Sequence, residues 1–227
     1  MEVMITTFEF QSAFRICEGL GNIYPKTGEN RVDVLWKTML AGGRGNQLPE
    51  PGDPKKIFFD WTAVMFMVCL LQRWDQKESD DDFQKDMIVL EKLGSNGAQP
   101  LLPTRDQINA RANIWTETQQ MHFKTDDERL KFALEDGGTP IFGRILAMNG
   151  GGRRLYRTAK GLFGLGPGSV KKDDEVWLIK GARVPFILRG CPGKKDHRLV
   201  GETYIHGYMN GEMLDAVSGK IVPVGLI

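Results

Sequence analysis

Up to about residue 149 the apolar positions recur at helical spacing, and after Gly150 they gather into short runs broken by glycine, proline and charge. In the first regime Leu35 pairs with Met39 and Trp36 with Leu40 at i,i+4, which predicts a short helix stopped by Gly42-Gly43. The stretch AGGRGNQLPEPGDP then separates it from an apolar run, Ile57 to Leu71, predicted as a central buried helix that continues to about residue 74. Asp80-Asp81-Asp82 puts negative charge at the start of the next helix, where it complements the helix dipole. Thr104 with Gln107 and Thr125 with Glu128 have capping-box spacing, and Thr139-Pro140 places a cap before a proline at the first helical position. Gly137 and Gly150 supply matching stops. Residues 1–150 are thus expected to hold about six or seven helices.

In the second regime Arg153 to Thr158, Glu175 to Lys180, Arg183 to Arg189 and Arg198 to His206 have the length and composition of strands. Lys180-Gly181-Ala182-Arg183 reads as a hairpin turn and Cys191 to Asp196 as a longer one. Short strands with tight turns predict a small antiparallel sheet that closes or nearly closes into a barrel. The consecutive apolar residues Val176 to Ile179 and Phe186 to Leu188 predict strands covered on both faces. The expected fold is α+β, with a helical layer (residues 1–150) packed on a small β-barrel (residues 151–227).

GLFGLGPGSV, residues 161–170, invites a phosphate-binding reading, which its spacing excludes. After Gly164 and Gly166 the third glycine of a dinucleotide fingerprint is replaced by Ser169, and no Gly-Lys-Ser/Thr comes after Gly161 or Gly164. The residues beyond Val170 are charged and then strand-like, not the helix N-terminus both motifs need. Gly161, Gly164 and Gly166 are instead read as a sharp corner or bulge of the barrel, with Pro167 ending the pairing.

A net charge of +1 conceals an uneven distribution, with acidic side chains in excess over residues 1–150 and basic ones over residues 151–227. The basic part fits docking on the chain's own acidic residues ahead of an outside partner, whether nucleic acid or an acidic protein. Cys17, Cys69 and Cys191 are odd in number and far apart, as in a reducing compartment, and form no metal motif. The run from Ile57 to Leu71 is about 15 residues long, short of the roughly 20 that span a bilayer. MEVMITTFEF lacks the basic and apolar regions of a signal peptide, so the expectation is a cytoplasmic protein without a membrane anchor.

Five segments occur in a recognisable order. Arg154-Leu155-Tyr156-Arg157-Thr158 is followed by Gly161 and Gly164-Leu165-Gly166-Pro167, then by Asp174-Glu175-Val176-Trp177, then by Val184-Pro185-Phe186-Ile187-Leu188-Arg189. The last is Leu199-Val200-Gly201-Glu202-Thr203-Tyr204-Ile205-His206-Gly207, ending Tyr208-Met209-Asn210-Gly211-Glu212. This order resembles the C-terminal barrel region of fungal heterokaryon-incompatibility (HET) proteins, and Leu35-Trp36-Lys37-Thr38-Met39 is similar to their Trp-Arg-Thr-Leu stretch, with Lys37 in place of arginine. Asp173 stands where the family tends to have glycine. The resemblance implies a role in fungal non-self recognition. It also implies that the family's cell-death effector, a HET domain opening on a Tyr-x-Ala-Leu-Ser-Tyr-x-Trp-Gly motif, has no counterpart in these residues, so no catalytic residue is carried over and no cofactor is expected.

The remaining chemistry is sparse. His122, His197 and His206 share no zinc-ligand spacing. Glu202 and His206 are placed to share a strand face at i,i+4, acid/base chemistry in outline, but no neighbouring nucleophile accompanies them. Arg153, Arg154, Arg157, Lys171, Lys172, Arg183, Arg189, Lys194, Lys195 and Arg198 form a basic set interleaved with Tyr156, Phe163 and Trp177, a combination that single-strand-binding barrels also use. The candidate partner or nucleic-acid surface comprises Arg154, Tyr156, Arg157, Lys171, Lys172, Trp177, Arg189 and Arg198. The structural motif of the barrel comprises Gly161, Gly164, Gly166, Pro167, Pro185, Gly201, Tyr204 and Gly207. The sequence therefore favours a non-catalytic recognition or regulatory module with a protein partner, the alternative being a nucleic-acid or small-ligand-binding barrel.

Overall fold

The computed structural model describes residues 3–7, 10–41, 53–76, 81–95, 101–119, 139–212 and 221–227. Gly42-Gly43, most of the AGGRGNQLPEPGDP stretch, Asp80, His122, the Thr125–Glu128 cap and Gly137 lie outside the described residues. The fold is α+β. The chain divides into two compact units, Met1–Gly43 with Met148–Ile227, and Arg44–Ala147.

The unit Arg44–Ala147 is helical. It contains α3 (Pro54–Gln76), α4 (Asp81–Gly94), α5 (Arg105–Gln119) and most of α6 (Thr139–Gly150). α3 buries Phe58, Trp61, Val64, Phe66, Met67 and Leu70, as the apolar run from Ile57 predicts. Trp61 lies 4.7 Å and Phe58 5.3 Å, centroid to centroid, from Phe142 of α6, and Phe66 meets Phe83 of α4 at 6.2 Å. α4 buries Phe83, Met87, Leu90 and Leu93, one stripe at helical spacing. The capping box of α5 forms as read: the Thr104 N–H donates to the Gln107 side chain at 2.9 Å, and the Gln107 N–H to the Thr104 hydroxyl at 3.3 Å. Among the described residues no helix is long and apolar enough to cross a membrane.

The other unit holds β1 (Val3–Thr7), α1 (Phe10–Glu18), α2 (Arg31–Met39), β2 (Arg153–Thr158), β3 (Phe163–Pro167), β4 (Glu175–Trp177), β5 (Phe186–Gly190), β6 (Asp196–Glu202), β7 (Tyr204–Ile205) and β8 (Gly225–Leu226). β1 pairs antiparallel with β2, Val3 opposite Thr158 and Thr7 opposite Leu155. Contacts group β1, α1 and α2 with the C-terminal strands.

The described strands make two four-stranded sheets, β1-β2-β3-β7 and β4-β5-β6-β8, and not the single closed barrel that the strand pattern predicts. The sheets are joined through one bent segment, residues 196–205. Before Thr203 this segment pairs with β5, and after it with β3; at the bend the Thr203 N–H donates to the Pro185 carbonyl at 3.0 Å. A strand that changes sheets turns a corner in this way. Along β5 the register steps between Ile187 and Leu188, which face Gly201 and Leu199 and leave Val200 of β6 as the extra residue of a bulge. Gly201 takes φ +149° there, and a Cβ would come 2.7 Å from Pro167 Cγ.

The GLFGLGP stretch corrects the corner expected of it. Residues 163–167 are β3, paired along its length with β2, from Arg157 opposite Phe163 to Arg153 opposite Pro167. Only Gly161, in the turn before it, has a left-handed φ, +74°; Gly164 and Gly166 do not. These two glycines leave room for the Tyr156 ring. A Cβ on Gly164 would collide with that ring and come 2.7 Å from the Tyr204 carbonyl, and one on Gly166 would lie 3.3 Å from the ring. Asp173 adopts φ +71°, a left-handed conformation of the kind that favours glycine.

Candidate functional site

Residues 24–29 fold into a tight turn: the Tyr24 N–H donates to the Glu29 carbonyl at 2.7 Å, and the Gly28 N–H to the Tyr24 carbonyl at 2.9 Å. The next residue, Asn30, caps α2 by accepting from the Val32 N–H at 2.8 Å. Glu29 is thereby held just ahead of a capped helix, and Lys37 on that helix forms an ion pair with its Oε1. The Thr27 hydroxyl donates to Glu29 Oε2 at 2.5 Å.

The C-terminal strand approaches from the other side. Beyond β7, His206 is buried, with Nε2 2.5 Å from Glu29 Oε2 and Nδ1 3.1 Å from the Tyr204 hydroxyl. The Tyr24 ring stands edge-on to the imidazole at 5.6 Å. Its hydroxyl donates to the His206 carbonyl at 3.2 Å and accepts from the Phe163 N–H at 3.1 Å. Gly207 fits against Thr27, where a Cβ would lie 2.7 Å from Thr27 Cγ2.

Burial pushes the Glu29 carboxyl up, but the hydrogen bonds from His206, Lys37 and Thr27 outweigh it and bring its pKa down to about 2. Burial pushes the Tyr24 phenol up to about 12. Tyr204 is raised as well, by burial and then by the charge of Glu29. Glu29 is therefore an acceptor only, which makes His206 Nε2 the donor of their hydrogen bond. Both imidazole nitrogens are engaged inside the protein. General-base catalysis needs a nitrogen lone pair within reach of a substrate, and this imidazole offers none.

The acid that meets His206 differs from the one expected four residues before it. The bend at Thr203 ends β6 at Glu202, which is exposed, while His206 turns inward to Glu29. Tyr24, Glu29 and Lys37 carry no signal in the sequence that marks them as a site. A Gly28-Glu29-Asn30 turn ahead of a helix is readable, but nothing in the chain pattern pairs it with residue 206.

The basic set is divided between interior and surface. Tyr156 is wholly buried, its hydroxyl 2.7 Å from Thr203 Oγ1, so its ring does not belong to the surface expected of it. Arg154 donates to the Val170 carbonyl at 3.4 Å and Arg157 to the Gly19 carbonyl at 2.6 Å. Arg189 grips the buried Asp174 through both carboxylate oxygens, at 2.6 and 2.8 Å, and also reaches the Ser169 carbonyl at 2.8 Å. Trp177 is half-buried and donates to Glu175 at 2.7 Å. Lys171, Lys172 and Arg198 are exposed. Among the described residues no group of three or more His, Cys, Asp and Glu could hold a metal ion, and Cys17, Cys69 and Cys191 form no disulfide.

A small β unit with two covering helices and an internal His–Glu clasp is the class of protein that these contacts define. The model of the Het-6 beta-barrel domain matches residues 98–220, and the chain belongs to that family. It is also similar to heterokaryon incompatibility protein 6, OR allele, of Neurospora crassa, with 41% identity over 66 residues. That stretch is 28% of this chain and 10% of the relative, so the match spans a small part of the relative's length. No solved structure matches the chain.

Proposed function

We propose that this chain is a recognition or regulatory module of the heterokaryon-incompatibility type, acting in fungal non-self recognition without catalytic chemistry of its own. The observation that carries the reading is the state of His206. Its acid/base potential is spent on Glu29 and Tyr204, which ties the turn at residues 24–29 to the Tyr204-Ile205-His206-Gly207 segment. The similarity to heterokaryon incompatibility protein 6 supplies the biological setting. On this reading the two sheets that meet at Thr203 are the halves of the barrel for which the family is named, α1 and α2 are its covering layer, and the module works in the cytoplasm on a protein partner.

The test is enzymatic. NAD is the substrate to offer, because the effector domains of the resembling proteins are similar to TIR domains. Purified chain incubated with NAD is expected to leave it intact, and expression of the chain by itself is expected to leave fungal cells viable. NAD turnover by clean protein, abolished by His206→Ala, would sink the reading.

A further inference from the structure

One end of the sheet β4-β5-β6 carries basic side chains that the fold does not use. Gly190 lies opposite His197 and Arg189 opposite Arg198, so the hairpin between β5 and β6 puts Lys194 and Lys195 at that end. Glu175 lies opposite Leu188, which brings the loop entering β4 to the same end. That loop is clamped in place. Arg189 holds Asp174 and the Ser169 carbonyl, and the Lys171 N–H closes onto Asp174 Oδ2 at 2.8 Å. Lys171, Lys172, Lys194, Lys195 and Arg198 are all exposed, and none is ion-paired within the described residues. The nearby arginines Arg154 and Arg189, by contrast, are committed to internal acceptors. Asp173 and Asp196 sit among the lysines, which makes the surface a pattern of mixed sign with positive charge in excess.

We propose that this end of the sheet docks an acidic segment of a protein partner, an inference that rests on the recognition-module reading and names its surface. Charge complementarity selects the acidic ligand, since clustered unpaired lysines attract carboxylates and the interspersed aspartates penalise a misplaced one. The aromatic residues select protein over nucleic acid. Binding of single strands uses exposed rings as stacking platforms, whereas Tyr156 and Phe163 are buried and Trp177 is half-buried with its N–H on Glu175. The clamped loop also holds two of the lysines in position before binding, which lowers the entropy cost of association.

The probe is a random peptide library displayed on phage, panned against the full chain. Peptides rich in Asp and Glu are expected to be enriched. The tightest of them should bind a chain carrying Lys171→Glu, Lys172→Glu, Lys194→Glu and Lys195→Glu at least about tenfold more weakly, a difference of about 1.4 kcal/mol. The pair Lys180→Glu and Arg183→Glu, at the opposite end of the sheet, should change binding by less than about twofold, because exposed charges more than a Debye length apart are screened from each other. Glutamine at the same four lysine positions gives a smaller loss, and keeps the test decisive if charge reversal disturbs folding. Enrichment without acidic bias, no enrichment, or equal loss in the two charge-reversed chains overturns the docking surface and leaves the non-catalytic module standing. Submicromolar binding of single-stranded RNA at physiological salt, weakened by the same four substitutions, overturns both.

Discussion

His206 Nε2 lies 2.5 Å from Glu29 Oε2, although 177 residues separate the two in sequence. The contact joins an early turn to the bent strand near the end of the chain, and Lys37 and Thr27 complete the carboxylate's partners. A clasp of this kind stabilises only while Glu29 is charged.

The first prediction comes from that charge. Glu29 titrates at about 2 in the folded chain against an ordinary value of 4.5, so its contribution is complete above pH 4.5 and is lost as pH falls from 4.5 towards 2. Glu29→Gln should cost about 1.5–3 kcal/mol near neutral pH, the range for hydrogen bonds to charged groups. Its thermal midpoint should converge on that of the parent as the pH is lowered through that window. Parallel midpoint curves across the window would show that the carboxylate is not what holds the clasp.

A second prediction concerns β3. Gly164→Ala drives a methyl group into the Tyr156 ring and the Tyr204 carbonyl, and should cost about 1–3 kcal/mol by overpacking. Gly161→Ala meets open space but a left-handed backbone, which costs roughly 1–2 kcal/mol for a different reason. The two are separated by Tyr156→Leu, which removes the colliding ring atoms. In that background the Gly164 penalty should shrink and the Gly161 penalty should not, as read from denaturant midpoints.

These glycines also mark how far the sequence can be read. β2 is legible to the residue, Arg153 to Thr158, because a short run with strand composition is bounded by glycine on one side and a turn on the other. β3 reads as a corner because glycine usually signals a turn, whereas here its missing side chain accommodates an aromatic ring from the neighbouring strand. The cap of α5 is legible because capping is local. The Glu29–His206 contact is not, since it depends on a bend at Thr203 and a turn before α2 that converge only in three dimensions. The same bend separates Glu202 from His206, which i,i+4 spacing alone puts on one face.

Asp173 provides a third test. It holds φ +71°, a conformation in which a Cβ is disfavoured and aspartate is tolerated better than most residues. Asp173→Gly should therefore stabilise the chain by up to about 1 kcal/mol, and Asp173→Val should destabilise it by at least as much. A valine variant as stable as the glycine variant in thermal melts would contradict the left-handed turn.

The last prediction concerns which segments make one folding unit. β2 would be an open edge without β1, whose register runs from Val3 opposite Thr158 to Thr7 opposite Leu155. The Phe163 N–H would lose the Tyr24 hydroxyl, and His206 would lose Glu29, leaving buried polar groups without partners. Each such orphan costs about 1–3 kcal/mol, against the roughly 3–5 kcal/mol that a core of this size rarely exceeds. Residues 151–227 expressed alone should therefore aggregate or remain poorly folded. Co-expression with residues 1–43 should restore soluble material with dispersed amide signals, because those residues supply β1, α1, α2 and the Glu29 turn. A soluble, well-dispersed fragment 151–227 by itself would show that the N-terminal strand and the clasp are dispensable to the sheets. Failure of residues 1–43 to improve the fragment would show that the C-terminal strands need more of the chain than these contacts identify.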